Sequence, residues 1–376
     1  MNFSIIDKYL DGLTECGVPA CELSVTYKGE QIYRKCVGFS DSAKTKPTCS
    51  EDIYWIFSAT KVITCTAAMM LVDRGVIKLD DPVSKYIPEY ANLLIKNKDG
   101  KLSYAENTMT IEHLFTMTGG MTYNLGTSNV LLAKKEDRST LGIVKALAKD
   151  PLSFEPGTRY QYSLCHDVLA AVVEVASEMR FSDFLQKNIF DPLGMKDIGF
   201  RPSEEQKKRF SAMYVSTTGT AEATEIDCTN NYCVTEDYDS GGAGLFSTVD
   251  DYIKLITVLA CGGTTKDGYK ILSPEAIAMM GENRLCDDAL NDFGKTRLFG
   301  YGWGLCGRAH RNPHMSLAKS PVGEFGWDGA CGAFALVDAK NQIAFYFGTH
   351  IRGYQYLYHS VHPTLRDMIY EAIQNN

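Results

Sequence analysis

At 376 residues with 45% apolar side chains, the chain is long enough for one large or two medium domains around a substantial core, which excludes a disordered protein. Its 46 acidic and 38 basic residues leave a formal charge of -8 without any run of five like charges, so nucleic acid is not an expected partner. No stretch reaches the roughly 18 apolar residues that a bilayer crossing requires. The opening MNFSIIDKYLDGLTECG lacks the charged-then-apolar plan of a secretory signal, so a cytoplasmic location is expected.

In chain order, CELSVTY at 21–27 and EQIYRKCVGF at 30–39 read as two antiparallel strands joined at Lys28-Gly29. From Ser58 to Asp73 the three- and four-residue spacing of Val62, Ile63, Ala67, Met70 and Leu71 predicts a helix, closed by Gly75. Further helices are expected near 110–117, capped by Thr110, and near 139–149, then over 167–179, 182–190 and 248–260. At 274–280 Ser273 supplies an N-cap and Pro274 the first helical position. The β-signal returns in FGYGWGL from 299, in GAFALVD at 332–338 and in QIAFYFGTH at 342–350, before a last helix near 362–374. The economical assembly is α+β: an antiparallel sheet flanked by helices, drawn from 1–57 and 299–376, with a mostly helical domain of 58–298 inserted and the active site at the seam.

Twelve cysteines are scattered from Cys16 to Cys331 without a CxxC pair, and read as reduced thiols. The pairs Cys16/Cys21, Cys228/Cys233, His310/His314 and His359/His362 read as buried thiols and ordinary histidines, with no metal site expected. There is no GxSxG elbow, HExxH or Walker loop. Gly302 to Gly307 fits GxGxxG but no helix start follows it, and Ser316-Leu317-Ala318-Lys319 fits SxxK but is interrupted by Pro321.

Ser58-Ala59-Thr60-Lys61 is an SxxK tetrad at a predicted strand-to-helix transition. Residues three apart share a helix face, so Lys61 can reach the Ser58 hydroxyl, and a desolvated amine there becomes a usable base. The blander alternative, an N-cap serine followed by a surface lysine, is common for so short a motif.

Context favours the chemical reading. YWIFSATKVITCTAAMMLVDRGVIKLDDPVSKYIPEY (54–90), HLFTMTGGM (113–121), PGTRYQYS (156–163), IFDPLGMKDIGF (189–200), SGGAGLFSTVDDY (240–252) and YGWGL (301–305) follow one another as blocks do in the β-lactamase-like serine hydrolases. The chain resembles class C β-lactamases, D-alanyl-D-alanine carboxypeptidases and related esterases. That resemblance implies an acyl-enzyme mechanism with Ser58 as nucleophile and Lys61 and Tyr162 as proton-handling partners, and no metal or organic cofactor. Tyr162-Ser163-Leu164 stands where the family carries its Y-x-N triplet, so Leu164 replaces an amide that helps orient substrate. Trp327-Asp328-Gly329 stands where the penicillin-binding enzymes carry K-T-G. There Trp327 is expected as a flat apolar wall and Asp328 as a group that repels anions, both lining the substrate with Gly329 and Leu164. The backbone N–H groups of Ser58 and Ala330 are expected to form the oxyanion hole.

The resulting expectation is a serine hydrolase acting on a small neutral ester or amide, with Arg352 or Arg159 as a replacement cation if the substrate is charged. A true β-lactamase or D-alanyl-D-alanine carboxypeptidase is the alternative within the class. A catalytically silent homologue that binds peptides or cell-wall fragments is the alternative outside it, although such a module has no use for Ser58, Lys61 and Tyr162 together. The proton acceptor, Lys61 or the Tyr162 phenolate, is left open by the residues alone.

Overall fold

The structure, a computed structural model, describes residues 1–97, 99–216 and 222–374. Helix α1 (Ser4–Leu13) leads into strands β1 (Ala20–Tyr27) and β2 (Glu30–Gly38), paired antiparallel. Lys28 and Gly29 between them have φ of 52° and 79°, the positive values that a two-residue hairpin twisted with its strands demands. The buried helix α2 (Thr60–Asp73), α3 (Cys165–Ser177) and α4 (Val249–Ala260) follow. The chain then returns as β3 (Tyr301–Gly304), β4 (Gly307–His310), β5 (Phe325–Gly326), β6 (Phe334–Asp338) and β7 (Ile343–Thr349), and ends in α5 (His362–Gln374).

These strands form one antiparallel sheet of seven in the order β3-β4-β5-β6-β7-β1-β2, so the two ends of the chain meet where β7 pairs with β1. The period-2 alternation of side chains divides the core. Leu23, Val25, Leu336, Phe345 and Phe347 turn to the face covered by α1 and α5, while Ala335, Val337, Ala344 and Tyr346 turn to the face shared with α2 and α4. Tyr346 stacks on Tyr252 of α4 with ring centroids 4.0 Å apart.

The expected mixed fold with an antiparallel sheet is present, and several local differences have physical causes. Ser58 lies in a separate 3₁₀ turn, Phe57–Ala59, and not on the α-helix itself. Helix α2 is buried all round, including Thr64, Cys65, Thr66 and Met69, because it runs through the molecule's centre; a one-sided apolar stripe understates it. Helix α4, although drawn from the middle of the chain, packs on β1, β6 and β7. Helix α1 is amphipathic, with Ile6, Leu10 and Leu13 inward, and escaped sequence reading because that stretch was weighed only as a leader. Strands β4 and β5, too short and glycine-rich to signal themselves, join the returning strands into the sheet. The expected caps are in place: Thr110 and Ser273 each accept a backbone N–H of the following helix, as does Thr248, which the sequence reading does not single out.

One buried ion group ties the sheet to the strand that carries the candidate site. Glu22 on β1 is fully buried, paired with Arg34 on β2, and accepts from Tyr54 Oη at 2.7 Å. Arg34 continues to Asp250 of α4 at 2.7 Å. Glu22→Ala strands Arg34 and the Tyr54 hydroxyl in a poorly solvated place, and is expected to cost about 2–4 kcal/mol of folding stability; urea denaturation of the variant beside wild type measures it.

Candidate active site

A short strand, Tyr54–Trp55, pairs with Phe246–Ser247 and delivers the chain to Ser58. Phe57 enters the turn with φ of 44°, a left-handed value that a bulky side chain seldom adopts. Its ring is fully buried in a cluster with Ile53, Trp55, Met213, Phe246 and Cys331, which holds this conformation in place. Around it, Ile56 N donates to Leu245 O at 3.1 Å, Tyr252 Oη to Ala59 O at 2.8 Å and Thr64 Oγ1 to Gly241 O at 2.7 Å. The loop 240–247 and Tyr252 of α4 thus grip the start of α2, and Ser58 is left half-buried at the rim.

Lys61 is fully buried. Its Nζ donates to Gly242 O at 2.6 Å, Tyr123 Oη at 3.2 Å and Ser58 Oγ at 3.3 Å, and stands 4.5 Å from the centre of the Tyr162 ring. Burial pushes the amine down to about 7, against the pull of the Asp167 carboxylate. Near neutrality a large share of the amine is therefore unprotonated and beside a hydroxyl.

Tyr123 and Tyr162 stack with ring centroids 5.4 Å apart and an interplanar angle of 4°. Burial raises both phenols above their ordinary value, while Ser58, which faces both, favours their ionisation. Trp327 Nε1 donates to Tyr162 Oη at 2.9 Å, leaving the phenol's own proton free for another acceptor. The hairpin that carries Trp327 presses on the serine turn: a Cβ on Gly329 would lie 2.4 Å from Ile56 O. Only glycine permits that approach, which brings Ala330 beside the Ser58 segment. Among the described residues, no loop carbonyl accepts from the N–H groups of Ser58 and Ala330.

Ser58, Lys61, Tyr162, Trp327, Gly329 and Ala330 are thus brought together, whereas two expected substrate contacts are not. Asp328, at an isolated bridge with Phe334, turns its carboxylate to Arg308 Nη1 at 2.8 Å and His362 Nδ1 at 3.8 Å. Although burial acts against it, Arg308 and His362 hold this carboxyl below its ordinary value; its charge is offset and does not confront a substrate. Leu164 is buried in the core at the entry to α3, so it replaces the family amide without lining the site. Trp327 is more than an apolar wall, since its indole N–H is a directed donor. Of the two candidate cations, Arg352 lies over the Phe57 ring at 5.5 Å, whereas Arg159 is committed to Asp292. The discarded tetrad is spent elsewhere: Ser316 Oγ meets His310 Nε2 at 2.7 Å and Lys319 pairs with Glu371.

Sequence reading missed Tyr123. Its signal was available, because it stands two residues beyond the block HLFTMTGGM at 113–121. The Gly242 carbonyl was missed too, as a backbone acceptor carries no side-chain signature.

Comparison with known proteins gives the family and the fold. A Mycobacterium tuberculosis protein is 30% identical over 82% of this chain and 79% of its own length. Esterase EstB of Burkholderia gladioli is 27% identical over 92% of this chain and 89% of its own. The unliganded structure of simvastatin synthase LovD from Aspergillus terreus superposes with a TM-score of 0.80 at 18% identity, covering 100% of both chains, a likeness of fold. No helix among the described residues is long and apolar enough to cross a membrane. Because the Beta-lactamase family profile matches residues 5–355, nearly the whole length, the chain belongs to the Beta-lactamase family.

Proposed function

We propose that this protein is a serine esterase that works through an acyl-enzyme on Ser58, with Lys61 as the base. The observation that carries the reading is the buried Lys61 amine 3.3 Å from the Ser58 hydroxyl, with its proton affinity lowered to about 7. A phenol whose pKa is raised by burial stays protonated at neutral pH, so Tyr162 and Tyr123 serve better as proton donors than as the first base. Ser58 Oγ attacks the ester carbonyl and its proton passes to Lys61 Nζ. The tetrahedral oxyanion lies against the N–H groups of Ser58 and Ala330. As the carbon–oxygen bond to the alcohol breaks, Tyr162 gives its proton to the departing oxygen and is restored from the Lys61 ammonium. Water then attacks the Ser58 ester, Lys61 takes its proton, and Ser58 leaves with that proton as the acid is released.

A neutral ester or amide is the preferred substrate because Trp327 occupies the place of a cationic lysine, and because Arg308 is already occupied by Asp328. The similarity to esterase EstB, which covers most of this chain, supports the same preference. One feature favours a lactam or other anionic substrate as the second reading: Arg352 lies over Phe57, next to Ser58, and makes no ion pair among the described residues.

Turnover of p-nitrophenyl acetate and nitrocefin separates these readings, with a higher kcat/KM expected for the ester; the reverse order selects the lactamase. A fluorophosphonate followed by intact-mass analysis is expected to add one label to wild type and none to Ser58→Ala, and equal labelling of both would support a silent binding homologue instead. Lys61→Ala and Tyr162→Phe are each expected to lower kcat/KM by at least ~100-fold with folding retained. Since Lys61 must be unprotonated to accept the serine proton, kcat/KM is expected to fall as pH drops through about 7; a profile flat across that region excludes Lys61 as the base.

A further inference from the structure

Near Lys61 lies a carboxylate that the proposed mechanism leaves unused. Asp167 sits in the first turn of α3 and is fully buried. Its Oδ1 is crowded with donors: Tyr238 Oη at 2.6 Å, Ser240 Oγ at 2.7 Å and Gly242 N at 3.3 Å. Its Oδ2 has no hydrogen-bond partner among the described residues. A buried carboxylate oxygen left bare costs free energy, so its retention calls for a reason.

The reason is visible at Gly242. A Cβ built on that residue would lie 2.5 Å from Asp167 Oδ2 and 3.4 Å from Lys61 Nζ. The bare oxygen and the amine therefore lie close together on either side of one side-chain-free position, separated by no more than the sum of those two distances and without a direct ion pair among the described residues. At such a separation in a dry interior, a full negative charge acts strongly on the proton of the amine.

We propose that Asp167 is a positioning residue of this site: its unpartnered oxygen, facing Lys61 across Gly242, sets how tightly the amine holds its proton without touching the substrate. This rests on Lys61 acting as the base. The other titratable groups around the amine are Tyr123, Tyr162, Cys65, Cys165 and His166. Burial raises both phenols and both thiols, and pushes His166 down to about 3, so these groups are neutral in the working range. Asp167 is left as the countercharge. Without it, burial alone would strip Lys61 of its proton so readily that the amine would be a weak base, unable to carry the proton forward to the leaving group.

The test is the acid limb of the kcat/KM profile for a neutral ester. Asp167→Asn keeps the shape and an acceptor for Tyr238 and Ser240 but removes the charge, and the limb is expected to move to lower pH by roughly one to two units, with kcat reduced at its plateau. Tyr238→Phe removes a donor dipole that offsets the carboxylate and keeps the charge, so its limb is expected to move the other way, to higher pH. A merely structural role would lower stability or kcat and leave both limbs where wild type has them, which would overturn the proposal. If Asp167→Asn fails to fold, an unmoved limb in Tyr238→Phe overturns it equally. A wild-type profile without a limb near neutrality removes Lys61 as base, a failure distinct from a wild-type limb that neither variant shifts.

Discussion

The arrangement depends on taking one ammonium group out of water. A lysine at the surface holds its proton too tightly to accept another, and the short separation between Lys61 and Ser58 would have no chemical value there. Helix α2 runs through the centre of the molecule, so Lys61 is enclosed while Ser58, one turn earlier, stays at the rim. The Gly242 carbonyl and the Tyr123 hydroxyl receive the amine's hydrogens and so limit the cost of its burial.

Keeping that geometry takes contributions from the whole chain. The sheet is closed by the pairing of β1 with β7, and Glu22 on β1 hydrogen-bonds Tyr54 on the strand that feeds the serine turn. The loop 240–247 holds the turn from the other side, and the hairpin at 327–333 leans on Ile56 through a glycine that has no room for a side chain. The left-handed Phe57 is tolerated because its ring fills a packed cluster. Strain at this point is therefore borne by the core and not by the reacting groups.

The exchange of a lysine for Trp327 alters the electrostatics as well as the shape. An indole N–H can still direct a hydrogen bond to the Tyr162 oxygen, which keeps the phenol oriented, but it brings no charge. Asp328, which by itself would make the site hostile to anions, is absorbed by Arg308 and His362 on the far side of the hairpin. Among the described residues, the charged groups placed near this segment are Lys61, with Asp167 close to it by Gly242, and Arg352 over Phe57. In the proposed mechanism, such a site selects more by shape and by the reactivity of the carbonyl than by attraction to a carboxylate.

What could be read from the sequence was local. The Lys28-Gly29 hairpin, the caps at Thr110 and Ser273, and the three-residue step from Ser58 to Lys61 all rest on interactions between near neighbours, which leave a pattern in a short window. The order of the blocks carried the family, and with it Tyr162 and the place of Trp327. Tertiary structure alone decided which groups surround the amine: Tyr123 lies 62 residues from Lys61 in the chain and the Gly242 carbonyl 181 residues from it. It also turned Asp328 away from the site and sank Leu164 into the core. Desolvation and charge pairing are sums over everything that folds around a group. They are set only when distant segments pack together, so residue spacing announced the candidate serine and lysine while the packed interior decided the lysine's proton affinity.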